Sequence, residues 1–110
     1  MHLLDHLQHT FPEQNIVHKN KGHYHIFESE RFRMNVSATG NHFRVHFLQA
    51  KPQGIQYGNA LVSVLLEYCR KSRLVPYVSE PDNYKNFWRR NGFEPTMEDD
   101  GLWIHEDWNE

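Results

Sequence analysis

Cysteine is nearly missing from this sequence: the single one, Cys69, has no partner for a disulfide within the chain. A fold held together by internal disulfides is therefore excluded, and a reducing compartment, the cytoplasm, is the predicted location. Cys69 falls in the middle of an apolar helical pattern. That position favours a small packed side chain over a reactive nucleophile.

Long apolar runs are also missing, and none reaches the roughly 20 residues that a membrane-spanning helix needs. The opening stretch, MHLLDHLQHTF, mixes apolar residues with one Asp and three His, which is not the pattern of a signal peptide. We therefore expect no membrane partner.

The chain has no excess of basic residues, with 12 Lys and Arg against 14 Asp and Glu. A net charge of -2 predicts no nucleic-acid partner. Aromatic residues reach 14%, enough to build a core, and 110 residues fit one domain spanning positions 1–110.

Hydrophobic periodicity predicts the secondary structure of the first half of the chain. Leucines and Phe11 at helical spacing indicate a short helix over residues 2–11, before Pro12. Three strand-like runs follow, HYHIFESE, RFRMNVSA and HFRVHFLQ, each alternating with a period of two. In the third run this alternation sets Phe43, Val45 and Phe47 opposite the two histidines and the arginine. The turn sequence ATGNH predicts an antiparallel hairpin between the second and third runs.

The second half predicts a helix after Gly58, followed by a buried strand at residues 74–78 that pairs in parallel with the third strand. A further helix is expected with Asp82 as N-cap and Asn91-Gly92 as its C-terminal cap. LWIHEDW predicts a closing hairpin. The fold class is therefore α+β, with antiparallel N-terminal strands, one parallel strand–helix–strand crossover and a C-terminal hairpin.

A glycine-containing loop leads into the central helix, in the sequence KPQGIQYGNALVSVLLEYCR. Free amides at a helix N-terminus bind anions, but such loops more often only turn the chain. Leu48, Gln53 and Gly58 follow the first signature of the GNAT superfamily of acyl-CoA-dependent N-acyltransferases. Phe87-Trp88 followed by Gly92-Phe93 is similar to its second signature. Over residues 23–104 the sequence resembles that family.

The resemblance implies acetyl-CoA as co-substrate. Loop amides over residues 53–59 would hold the CoA pyrophosphate, and the pantetheine arm would run along residues 47–50. There the third strand is expected to separate from residues 74–78, and a strand amide would polarise the thioester carbonyl. The implied cofactor-binding residues are Leu48, Gln49, Gln53, Gly54, Ile55, Gln56, Tyr57, Gly58, Asn59 and Ala60.

The sequence departs from the family at two positions. Gln56 replaces the first loop glycine, and a left-handed Gln there would cost on the order of 1 kcal/mol and crowd the pyrophosphate. Trp88 stands where many members carry the tyrosine that reprotonates the CoA thiolate, and an indole N–H is no general acid. Tyr84, one turn earlier, is the alternative acid. For both aromatic side chains, a purely structural role in the core or lining the cleft is favoured.

Histidine is abundant, with nine residues. His23, His25 and His46 are expected to share one sheet face with Arg33, Arg44 and Asn35. A solvated face is favoured over a metal site, since no Cys or carboxylate lies at ligand spacing. Such a face could also receive the acceptor, with His46 or Glu28 as the base.

The leading hypothesis is direct transfer of an acyl group, most simply acetyl, from CoA to an unidentified small-molecule or protein amine. No nucleophile for a covalent intermediate stands out. The alternative is a non-catalytic GNAT-like module that binds CoA, a related nucleotide or a protein partner. Glu28, Glu30 and Asp99 would favour a cationic acceptor. Trp103 and Trp108 cover either a core edge or a homodimer interface.

Overall fold

The computed structural model describes residues 2–51, 55–81, 83–97 and 101–108, and for residues 55 and 56 it describes the backbone alone. The described helices are α1 (Leu3–Thr10), α2 (Ile55–Ser72) and α3 (Lys85–Arg90). The strands are β1 (Val17–Lys21), β2 (Tyr24–Glu28), β3 (Phe32–Thr39), β4 (His42–Ala50), β5 (Val75–Ser79), β6 (Phe93–Pro95) and β7 (Leu102–His105).

All seven described strands join one mixed sheet in the order β1-β2-β3-β4-β5-β7-β6. Strands β4 and β5 are parallel and are connected by α2, whereas the other neighbouring pairs are antiparallel. The predicted α+β class, the parallel crossover and the closing hairpin of β6 and β7 are thus confirmed.

Strand β1 was not predicted. It pairs with β2 through a tight turn at Gly22, whose φ of 60° is in the left-handed region that glycine adopts at little cost. Its sequence, VHKNK, lacks apolar alternation because most of its side chains are exposed at the sheet edge. A polar edge strand leaves no period-two hydrophobic signal to read.

The two faces of the sheet differ in what covers them. One face, which we call the helical face, carries Phe32, Met34, Val36, Phe43 and Val45. These side chains form one core cluster with apolar residues of all three described helices: Leu3, Leu7, Leu61, Val62, Val64, Leu65, Tyr68, Cys69 and Trp88. The predicted apolar stripes of α1 and α2 are therefore the surfaces that bury this face.

The opposite face, which we call the open face, contributes no member to that cluster. The strand register shows which side chains lie side by side on this face, because residues directly opposite one another on neighbouring strands project to the same side. Ile26 pairs with Asn35, and Asn35 pairs with Phe47. Tyr24 and Phe47 are 44% and 43% exposed on this face.

The predicted grouping of the histidines is wrong. His25 pairs with Val36, so it lies on the helical face beside Phe27 and not on the open face with His46. His23 lies in the exposed turn before β2. The alternation of the first predicted run is real, but its tyrosine and isoleucine face away from the helices.

Cys69 and Trp103 are buried within the chain, at 0% and 1% exposed. Burial raises the pKa of the Cys69 thiol to about 12, which removes it as a thiolate nucleophile at neutral pH. Trp103 belongs to the core, so the homodimer alternative does not apply to it. Trp108 packs partly against the same core, and the centroid of its ring lies 5.2 Å from the Arg70 guanidinium carbon.

Helix α3 is shorter than predicted. It begins at Lys85 with Tyr84 at the N-cap position and no side-chain cap hydrogen bond, whereas Asp82 lies outside the described residues. Its end follows the prediction. Gly92 has a φ of 88°, and Phe93 is buried against Trp88 with ring centroids 5.2 Å apart.

His105 is buried at the end of β7, 5% exposed. Its Nδ1 accepts a hydrogen bond from the Asp107 backbone N–H at 3.1 Å. Its ring contacts Phe93 and Trp108 edge-on. Burial lowers the pKa of His105 below the usual value of 6.5, and the nearby acidic side chains only partly offset this. The ring is therefore neutral in the folded protein at pH 7.

This neutral burial predicts acid destabilisation. The unfolded chain takes up a proton near pH 6.5 and the folded chain only at lower pH, so stability is complete above pH 6.5 and falls below it. The slope for this one residue reaches at most about 1.4 kcal/mol per pH unit. We expect the free energy of unfolding, measured with denaturant between pH 8 and 5, to depend less steeply on pH in His105→Gln than in the parent protein, although the variant is less stable at pH 8. An equally steep pH dependence would contradict the conclusion that His105 is buried in its neutral form.

Among the described residues, no helix is long and apolar enough to cross a membrane.

Candidate functional site

Strands β4 and β5 separate part-way along their length, and we call the gap between them the cleft. The two strands pair only over residues 42–45 and 75–78. Beyond that point β4 continues along β3, with Ala50 opposite Phe32, whereas Ser79 of β5 pairs with Leu102 of β7. Backbone groups of residues 47–50 that point away from β3 consequently lack a strand partner in the described chain. This is the separation that the resemblance implies at residues 47–50.

A β-bulge lies at the start of the cleft. Pairing with β3 jumps from Val36–Val45 to Asn35–Phe47, so His46 is the extra residue. The bulge shifts the alternation by one position. Phe47 consequently projects on the open face, and Leu48, opposite Met34, projects toward the core. The prediction that Phe47 shares a side with Phe43 and Val45 is therefore wrong.

His46 is fixed on the open face by two contacts. Its Nε2 lies 2.8 Å from Ser37 Oγ, and its ring stands edge-on to Tyr24 with centroids 4.9 Å apart. Burial is the larger cause, and the Arg44 charge the smaller, of a pKa for His46 below the usual 6.5. A neutral imidazole has one free lone pair, as a general base requires. When Nε2 donates its proton to Ser37, that lone pair is on Nδ1.

Glu28 also lies on the open face, at the end of β2 and opposite Arg33. Its carboxylate forms an exposed ion pair with Lys19 at 3.4 Å. Arg33 is in turn opposite Gln49 of β4, so Gln49 borders the cleft on the open face. Two cross-strand steps therefore separate Glu28 from β4, so His46 is the candidate base nearer to the cleft.

The predicted loop over residues 53–59 is helical from Ile55 onward. Gln53 and Gly54 lie outside the described residues, and the side chains of Ile55 and Gln56 do too. Gln56 has helical backbone, so the expected left-handed strain does not arise. The first turn of α2 still offers backbone amides without helical acceptors, which is the feature that binds anions.

The remaining predicted loop residues have structural contacts. Tyr57 stacks on Phe11 with ring centroids 4.8 Å apart, and its hydroxyl is buried with no hydrogen-bond partner among the described residues. Asn59 accepts a hydrogen bond from Asn91 Nδ2 at 3.0 Å, and Ala60 packs on the core. A Cβ on Gly58 would lie 2.9 Å from Phe87 Cε1, so this glycine allows α2 and α3 to pack closely.

Tyr84 and Trp88 differ in their surroundings. Trp88 is 5% exposed and packs against Phe87 and Phe93, which is the structural role favoured above. Tyr84 is 49% exposed just before α3. In the part of the chain that the structure describes, no hydrogen bond or ring contact joins Tyr84 to His46 or Glu28.

Sequence reasoning missed two residues of this region, Ser37 and Glu80. It placed Arg44 on the face of His46, but only the strand register reveals that Ser37 lies opposite Arg44. Glu80 follows β5 with a φ of 49°, a left-handed conformation that costs a non-glycine residue roughly 1 kcal/mol. Its exposed carboxylate lies at the end of β5, where the strands separate.

The described histidines do not assemble a metal site. His18 and His25 form one close pair, Nε2 to Nδ1 at 2.9 Å, on the helical face. Within the described ranges no three His, Cys, Asp or Glu side chains lie close enough together to hold a metal ion.

In comparisons with known proteins, the chain matches no family model, no curated protein and no solved structure. Its function is therefore inferred from the residues of the cleft.

Proposed function

We propose that this protein is a GNAT-type, acyl-CoA-dependent N-acyltransferase that moves an acyl group, most simply acetyl, directly onto an amine. The observation that carries the proposal is the separation of β4 from β5 directly after the His46 bulge. It leaves the outward-pointing amides of residues 47–50 without a strand partner in the described chain, and along the chain these residues lie between His46 and the first turn of α2. In the proposed reaction the helix start is the anion site, a strand amide is the carbonyl donor and His46 is the base.

In the proposed reaction, each chemical step is carried out by a particular group of the protein. The amides at the start of α2 bind the CoA pyrophosphate, and a free amide among residues 47–50 donates to the thioester oxygen. His46 accepts the proton of the attacking amine at Nδ1, while Ser37 holds Nε2. The amine nitrogen bonds to the acyl carbon as the carbon–sulfur bond breaks, and the CoA thiolate leaves. Tyr84 is the proposed proton donor to that thiolate.

Titration of acetyl-CoA by calorimetry tests the cofactor site. Gly58→Trp is unsuitable as a blocking variant, because the larger side chain would collide with Phe87 and disturb the core. Asn59→Asp instead adds one negative charge near the helix start, and we expect acetyl-CoA to bind several-fold more weakly. Ser63→Asp, one turn further along the exposed side of α2, is the matched control and should have a smaller effect.

Substitution of the base tests the chemistry. We expect His46→Ala to lower the rate of acyl transfer by about 10²-fold, with acetyl-CoA affinity unchanged. His9→Gln, an exposed histidine of α1, is the control. A full rate in His46→Ala would remove His46 from the mechanism. Tight acetyl-CoA binding without transfer to any amine would favour the non-catalytic module, and no binding at millimolar ligand would refute the cofactor assignment.

A further inference from the structure

A half-open surface cavity of about 500 Å³ lies on the open face at the closed end of the β3–β4 hairpin. Among the described residues, six line it: Ser37, Thr39, Gly40, Asn41, His42 and Arg44. Its volume is within the range of small-ligand sites in proteins. The cleft between β4 and β5 opens at the other end of β4, so this cavity is a separate feature.

The register of β3 and β4 brings the polar side chains that line the cavity together on one face of the sheet. Ser37 is directly opposite Arg44, and Thr39 is directly opposite His42. Residues opposite each other in this way project to one side of a sheet with Cβ atoms about 5 Å apart. The His42 ring also contacts the buried Tyr77 ring of β5, with centroids 4.7 Å apart, which orients it.

The lining chemistry is that of a hydrogen-bond donor set. It contains a guanidinium, an imidazole, two hydroxyls and a side-chain amide, and none of the six residues is an Asp or Glu. A guanidinium presents its N–H groups as a planar fork that matches a carboxylate or phosphate. Hydroxyl and amide groups complete the hydrogen bonds of such an anion, whereas the six described lining residues offer no carboxylate to a cation.

We propose that this cavity binds the oxyanion group, a phosphate or a carboxylate, of a small ligand, with Arg44 as the main anchor. Ser37 and Thr39 donate hydroxyl hydrogen bonds, and His42 closes the site toward β5. Ser37 also contacts His46, so a ligand that binds to Ser37 lies close to the His46 imidazole. The binding site does not depend on the acyl transfer proposed above, and its test contains no CoA.

Nuclear magnetic resonance titration tests the site. Inorganic phosphate, O-phosphoserine and acetate are added separately to the ¹⁵N-labelled protein, with chloride as a control at equal ionic strength. We expect saturable shifts of amides over residues 37–44, with dissociation constants of roughly millimolar size. Saturation by inorganic phosphate but not by acetate identifies a phosphate site, and saturation by acetate but not by inorganic phosphate identifies a carboxylate site. O-phosphoserine carries both groups and should bind in either case.

Two arginine variants give the decisive contrast. Arg44→Gln should weaken binding about tenfold or more, because it removes a charge-assisted hydrogen bond. Arg33→Gln is the matched control, because Arg33 lies on the same face of β3 but does not line the cavity. This variant should bind the anion as the parent protein does. The proposal is overturned if no anion gives saturable shifts up to about 50 mM, which corresponds to negligible affinity. It is equally overturned if Arg44→Gln binds as well as Arg33→Gln does.

Discussion

Trp103→Ala should lower the free energy of unfolding by about 3–5 kcal/mol. Trp103 is one of the largest fully buried side chains, and the Arg89 guanidinium carbon lies 5.0 Å from its ring centroid. Truncation leaves a cavity in the part of the core where β7 meets β5 and β6. A chain of this size is stable by only about 5–15 kcal/mol, so the loss is a large fraction of the total.

Chemical denaturation followed by circular dichroism measures this effect. Trp108→Ala is the matched control, because the same side chain is only partly buried at the edge of the core. We expect the control to lose clearly less than Trp103→Ala. Equal losses in the two variants would contradict the placement of Trp103 within the core.

Gly92→Ala should destabilise the protein by about 2–5 kcal/mol, for two reasons that add. A φ of 88° is unfavourable for any residue with a Cβ, which costs roughly 1–2 kcal/mol. The added Cβ would also lie 2.6 Å from Nε2 of the buried His105 ring. That ring is held by Phe93, Trp108 and the Asp107 amide, so it has little room to move, and such overpacking costs roughly 1–3 kcal/mol.

Gly22→Ala separates the two contributions. Gly22 also has a positive φ, 60°, but a Cβ there would meet no atom within 4 Å. Its substitution should therefore show the backbone cost alone, roughly 1 kcal/mol. Thermal unfolding of both variants at one pH gives the comparison. If Gly92→Ala is no worse than Gly22→Ala, the contact with His105 does not limit this position.

Much of the fold follows from local patterns in the chain. Alternation in RFRMNVSA predicts β3 because one side of that strand is buried and the other is not. The spacing of Leu61, Leu65 and Tyr68 predicts the buried stripe of α2 for the same reason at a period of 3.6. Local patterns fail at β1, where neither side of the strand is deeply buried.

The structure around the proposed cofactor site was only partly predictable. The sequence correctly placed a helix after the third predicted strand, and the separation of β4 from β5 agrees with the expectation. The helix, however, starts at Ile55 and not after Gly58. Gly58 and Tyr57 look like loop residues in the sequence, yet they contact Phe87 and Phe11, which lie far away along the chain.

The sequence by itself determined the α+β class, the β3–β4 hairpin, the parallel crossover and the Asn91-Gly92 cap, because each depends on neighbouring residues or on one periodic pattern. Only the tertiary structure decided which side chains share a face. One extra residue at His46 inverts the alternation of β4, exposes Phe47 and turns Leu48 inward. The His46–Ser37 contact and the Arg44 cavity join two strands through their register, which no local pattern in either strand specifies.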